Sequence, residues 1–145
     1  RDNYGQSSIP KDLKNVKLIA AGREHNLALT EEGTVVAWGR NDYGQCGVPE
    51  GLNDVISVSA GYFHSMALKE DGTVIVWGDS TYGQGNAPED LIDVISIDAG
   101  GYHNVALKAD GSVIAWGRNN YGQADVLTGL NPADLTEENL LNENL

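Results

Sequence analysis

One period governs this chain. The tripeptide Tyr-Gly-Gln stands at Tyr4-Gly5-Gln6, Tyr43-Gly44-Gln45, Tyr82-Gly83-Gln84 and Tyr121-Gly122-Gln123, each 39 residues after the last. Other positions keep the same step: Pro10, Pro49 and Pro88; Ala21-Gly22, Ala60-Gly61 and Ala99-Gly100; His25, His64 and His103; Trp38-Gly39, Trp77-Gly78 and Trp116-Gly117. No insertion or deletion breaks the register. A fixed period of this length marks an array of like structural units, in which each unit buries its apolar surface against its neighbours.

The interior of the unit reads as strands. Apolar and β-branched runs cover about Val16 to Ala20 (strand A), Asn26 to Thr30 (strand B) and Thr34 to Trp38 (strand C). Glu32-Gly33, Asp71-Gly72 and Asp110-Gly111 fall between B and C, where Asp-Gly favours a tight hairpin. A short strand D is expected at about Gln45 to Val48, ended by Pro49. Four short antiparallel strands in about 40 residues describe a β-propeller blade. The fold class is therefore all-β: three four-stranded antiparallel blades of 39 residues plus an extra terminal strand. The small Ala-Gly pair after strand A would let neighbouring backbones approach closely near an axis.

The blades are expected at about 4–42, 43–81 and 82–120, with a partial fourth at 121–130, giving a repeat domain over 1–130. Residues 131–145 form an acidic tail. In it Asp134-Leu135-Thr136-Glu137 has the form of a capping box, and a short helix through Leu140, Leu141 and Leu145 is one outcome. Closed propellers typically carry 4–8 blades. Three blades thus read as an incomplete propeller, or as part of a larger or oligomeric one. Arg1-Asp2-Asn3-Tyr4 aligns with Arg40-Asn41-Asp42-Tyr43, so the sequence opens in mid-blade and carries a D segment at each end. Closure could come from other copies of the chain or from a missing remainder.

Composition narrows the partners. Nine Lys and Arg against 21 Asp and Glu give a net charge of -12. That balance disfavours nucleic acid, whose phosphates need a basic surface, and anionic membrane. No run approaches the ~20 apolar residues that span a bilayer. Cys46 is the single cysteine and reads as a small filler. Gly-x-Ser-x-Gly, phosphate-loop and paired-carboxylate motifs are missing, and chemistry repeated in three units would be unlike an active site. The three histidines lack a second ligand at i+2 to i+4, so each is expected to bond backbone within its own blade rather than a metal. No enzyme, cofactor or metal is expected.

With Ala-Gly, His, Trp-Gly, Tyr-Gly-Gln and Pro in this order, the unit resembles the regulator of chromosome condensation repeat, over about residues 4 to 130. The short spacing is most similar to bacterial members of the β-lactamase-inhibitor type. The resemblance implies a propeller that binds proteins, and for that type a secreted, extracellular bacterial setting. Inhibition of a β-lactamase and self-assembly into a ring or filament stand as alternatives to a general interaction module.

Strand alternation puts the A–B and C–D loops on one face, and the B–C and D–A loops on the other. Invariant positions hold the fold, so recognition is expected at variable loop positions. These are Arg23, Glu24, Tyr62, Phe63 and Tyr102 in the A–B loops, and Arg40, Asp42, Asp79 and Arg118 in the C–D loops. Aromatic residues and arginine are the usual hot-spot types. The resemblance adds that aromatic residues at the A–B positions carry partner contacts. Of Tyr62 and Phe63, only one can point outward. On the opposite face, Glu31, Glu32, Glu50, Glu70, Asp71, Glu89, Asp90 and Asp110 read as a solvated acidic rim. The Trp-Gly and Tyr-Gly-Gln groups read as inter-blade packing.

Overall fold

A computed structural model of the chain describes residues 2–125. Its strands are β1 (Val16–Ala21), β2 (His25–Thr30), β3 (Val35–Gly39), β4 (Val55–Ala60), β5 (His64–Lys69), β6 (Val74–Gly78), β7 (Val94–Ala99), β8 (His103–Lys108) and β9 (Val113–Gly117). They form three antiparallel sheets, ordered β1-β2-β3, β4-β5-β6 and β7-β8-β9. The all-β fold of propeller blades read from the repeat is what forms, and the sheets are not closed on one another. Residues from 126 onward, including most of the partial fourth unit and the tail with its capping box, lie outside the described residues.

The hairpin turns obey their residues. Gly33, Gly72 and Gly111 sit at φ of 78°, 81° and 86°, the left-handed region that glycine enters without strain. Asp71 holds its turn by accepting the Thr73 N–H (3.1 Å) and hydroxyl (2.6 Å). Asn15, Asp54 and Asp93 are also left-handed, at 53–57°, a conformation these two residue types tolerate. Their carbonyls accept N–H bonds from Glu31, Glu70 and Ala109, which ties each D–A loop to its own B–C turn.

The fourth strand does not form. Residues 45–48 are turn and irregular structure, so each described sheet has three strands, and the expected terminal D strand is absent among the described residues. The cause is local. Asn41 Oδ1 accepts the Cys46 N–H at 2.8 Å, and Gly47 N donates to Gly44 O at 2.9 Å with Gly44 at φ 78°. Asp2, Ser80 and Asn119 repeat that side-chain capping on residues 7, 85 and 124. Backbone groups satisfied by a nearby Asx or serine side chain are no longer available to a ladder.

The apolar core lies between sheets, not within them. Leu27, Leu29 and Val35 of the first blade pack with Val55, Ala67 and Trp77 of the second. Met66 and Leu68 of the second pack with Val94, Ala106 and Trp116 of the third. Burial follows position in the array. Val55 and Val94 are 3% exposed, whereas Val16, with no described blade before it, is 38% exposed. Leu29 and Leu68 are at 0% and 1%, whereas Leu107, with no described blade after it, is at 37%. Gly61 lets the backbones meet, since a Cβ there would lie 2.6 Å from Gly100 O.

Polar clasps cross the same seams. The Gln45 carbonyl accepts the Trp77 indole N–H (3.0 Å) and the Ser65 hydroxyl (2.8 Å). The Gln84 carbonyl does the same for Trp116 (2.9 Å) and Asn104 Nδ2 (2.7 Å), and the Gln6 carbonyl for Trp38 (3.1 Å) and Asn26 Nδ2 (2.6 Å). The first three Tyr-Gly-Gln segments therefore each dock on the sheet that follows them. His25 and His64 also reach forward, in place of the expected backbone bond within one blade. His25 Nε2 lies 3.0 Å from Ser65 Oγ, and His64 Nε2 lies 2.7 Å from Asn104 Oδ1. Both rings are buried, and their Nδ1 atoms have no hydrogen-bond partner.

Two outcomes follow for stability. Trp77→Phe removes the indole donor from the buried Gln45 carbonyl and is expected to cost about 1–3 kcal/mol, read from the urea midpoint. The second concerns acid. Burial, with a smaller push from His64, lowers the His25 pKa from 6.5 to about 4, and burial lowers that of His64. Between those values the unfolded chain binds more protons than the folded one. Stability is therefore complete above pH 6.5 and falls as the pH drops toward 4, by on the order of 3 kcal/mol for His25. Urea midpoints at pH 7.5 and 5.5 check this, and equal values would contradict it.

Candidate functional site

The A–B and C–D loops stand side by side on one face because the end of each third strand is tied to them. Arg40 N donates to Glu24 O (2.8 Å), Asp79 N to Phe63 O (2.9 Å) and Arg118 N to Tyr102 O (2.9 Å). Neighbouring blades join through Tyr62 N, which donates to Gly101 O at 3.1 Å. The variable positions of three blades thus share one surface.

On that surface the aromatic rings form a continuous path. Ring centroids lie 4.9 Å apart for Tyr43–Phe63, 6.3 Å for Phe63–Tyr102, 5.2 Å for Tyr62–Tyr102 and 5.1 Å for Tyr82–Tyr102. These distances fall in the range of favourable edge and offset pairs. Tyr62 is exposed and Phe63 half-buried, their ring centroids 6.5 Å apart.

Three arginines lie on the rings. Arg23 sits 5.4 Å from Tyr62, and Arg40 sits 4.7 Å from Tyr4 and 5.2 Å from Phe63. Arg118 sits 5.1 Å from Tyr82, 5.8 Å from Tyr102 and 5.9 Å from Tyr121. All are within cation–π reach.

The structure brings Arg23, Glu24, Arg40, Asp42, Tyr62, Phe63, Tyr102 and Arg118 into this one surface. Glu24 and Asp42 are not free there. Arg40 Nη1 donates to Glu24 Oε2 (2.6 Å) and Arg40 Nε to Asp42 Oδ2 (2.7 Å), and these bonds, that to Glu24 foremost, hold the guanidinium firmly protonated. Asp79 is committed to its own loop. It accepts the Thr81 N–H and hydroxyl, and the Gln84 side-chain amide at 3.1 Å. Cys46 donates to Arg40 O at 3.2 Å, and burial pushes its thiol pKa up.

Sequence reasoning assigned the tyrosines of Tyr-Gly-Gln to packing. Gln45 and Gln84 are fully buried in the seams, whereas Tyr43 and Tyr82 pack on Phe63 and Tyr102 of the following blade and stay exposed on their other side, so they also belong to this surface, as do the exposed Tyr4 and Tyr121. Beside the stripe, Ala21-Gly22, Ala60-Gly61 and Ala99-Gly100 line a shallow depression of about 280 Å³, with Arg23 and Tyr62 at its rim. The opposite face keeps its acidic rim. There Glu32, Asp71 and Asp110 have lowered pKa values, chiefly from hydrogen bonds within their own turns.

Residues 16–45, 55–84 and 94–123 match the regulator of chromosome condensation (RCC1) repeat. No curated protein sequence matches the chain significantly. Among solved structures it is similar to Prp20p from Saccharomyces cerevisiae, at TM-score 0.67 and 26% identity over 88% of this chain and 36% of that one. It is also similar to human WBSCR16 (0.64, 28% identity, over 78% and 36%). The ectodomain of the Physcomitrella patens receptor kinase CR4 is a third (0.62, 27% identity, over 70% and 28%). The chain spans about a third of the length of these proteins. Three matched repeats in one register, folded as three blades like those of these propellers, show that the chain belongs to the regulator of chromosome condensation (RCC1) repeat family.

Proposed function

We propose that this chain is a non-catalytic protein-interaction module whose docking surface is the arginine–tyrosine face of the A–B and C–D loops. The observation that carries the reading is the unbroken path of rings from Tyr43 through Phe63 and Tyr102 to Tyr82, with arginine laid along it. Tyrosine offers large, rigid contact area at low entropic cost, and arginine is enriched with it at binding hot spots. Relatives of the same fold support it. The Saccharomyces cerevisiae protein is described by its binding to Gsp1p and histones, and also in complex with Kap60. A net charge of -12 argues against direct contact with nucleic-acid phosphates.

A second reading, assembly with further blades from another chain, is favoured by the exposed apolar side chains at the two outer sheets. Ile19 is 77% exposed on the first, and Leu107 and Val113 are exposed on the third. Light scattering over a range of concentrations tests it, and a stable monomer of 15.5 kDa would remove it.

For the docking face, the chain is immobilised and a captured partner titrated against variants. Tyr62→Ala and Tyr102→Ala are each expected to weaken capture by about tenfold or more, while the urea midpoint falls by no more than the lost ring contacts, about 1 kcal/mol, account for. Glu70→Ala on the opposite face leaves capture unchanged. A fall in midpoint that parallels the loss of capture would reassign the rings to packing.

A further inference from the structure

We propose that Arg118, caged by Tyr82, Tyr102 and Tyr121, is a subsite for a single carboxylate carried by the docking partner. The proposal rests on the reading of this face as a docking surface, and names what one part of it recognises.

The first blade holds the template. Arg40 and Arg118 are the same position of the repeat, two steps apart. Arg40 lies against Tyr4, Tyr43 and Phe63, and two carboxylates complete its shell. Asp42 accepts from Nε at 2.7 Å and Glu24 from Nη1 at 2.6 Å. In the third blade the aromatic cage is rebuilt around Arg118 by Tyr82, Tyr102 and Tyr121. Both carboxylates are gone: Tyr102 stands in the place of Glu24 and Asn120 in the place of Asp42.

What remains is an incomplete shell. Among the described residues Arg118 forms no ion pair, and its Nε is buried with no hydrogen-bond partner. Nearby Asp125 is engaged by Asn119 Nδ2 at 2.6 Å. A buried donor left unpaired is costly, and a guanidinium presents a planar fork that matches one carboxylate. The rings of Tyr82 and Tyr102 flank the guanidinium at 5.1 and 5.8 Å and present apolar surface beside the fork. The chain's charge of -12 opposes a polyanion, so the ligand that fits is one carboxylate set among apolar groups, as in an Asp or Glu side chain or a chain terminus.

The probe is benzoate, a carboxylate on an apolar ring, titrated into the ¹⁵N-labelled chain while the arginine Nε–Hε resonances are followed. Sodium phosphate and sodium chloride at matched ionic strength are the parallel arms. The Arg118 resonance is expected to move saturably with benzoate, and the Arg40 resonance to stay, because Asp42 already holds it. Asn120→Asp, an exposed loop change, restores the carboxylate of the first blade. It is expected to shift Arg118 toward the Arg40 position without probe, and to weaken benzoate about tenfold. A chloride shift as large as that of benzoate, a larger shift with phosphate, or an Asn120→Asp chain identical to the parent in both respects would overturn the proposal. A silent Arg118 in a chain whose partner capture is lost on Tyr62→Ala rejects the carboxylate subsite alone. Capture indifferent to Tyr62→Ala rejects the docking face, whatever the benzoate result.

Discussion

The seams of this molecule depend on one bond made once per unit, the indole N–H of a tryptophan donated to the backbone carbonyl of a glutamine 32 residues earlier, and buried in the second and third units. The glutamine leaves its own sheet through a capped turn and lands on the next. The carbonyl also accepts the side chain at the second position of β2, β5 or β8, so two donors converge on a single oxygen. A Gln, a Trp and a small polar residue at fixed separations thus set the seam between sheets. The apolar groups on either side, Leu29 and Val55 or Leu68 and Val94, then complete a dry interface.

The same seams account for what the sequence did and did not reveal. Strands A, B and C were legible because their alternation and their Asp-Gly turns are local. The two loop faces followed from strand alternation alone. Strand D was misread because Gln45 to Val48 has strand-like spacing before a proline, while Asn41, four residues upstream of the segment, takes the N–H that a ladder would need. The histidines were misread for a related reason. Their partners Ser65 and Asn104 are 40 residues away, one position beyond the repeat step, where no local pattern points. The aromatic cages lay beyond reach as well, since each draws its rings from more than one unit.

The loop face is one of the places where the three units differ. Where the first blade places Arg23, Glu24 and Arg40, the second places Tyr62, Phe63 and Asp79, and the third Gly101, Tyr102 and Arg118. Glu24 and Asp42 pair with one arginine and Asp79 is held by its own loop, so Arg23 and Arg118 are left among the rings as arginines without an ion pair among the described residues. Identical scaffolding therefore displays three different sets of side chains within a few ångströms of each other.

The location of the core between sheets has a consequence for synthesis. A blade emerging from the ribosome carries half of an interface, and Leu29 or Leu68 stays in water until the next sheet arrives. Each unit thus reaches its full stability one unit late, about 39 residues of further translation. The nascent chain always trails one sticky, unfinished surface behind its growing end, and the order in which the blades become permanent is the order in which they are made.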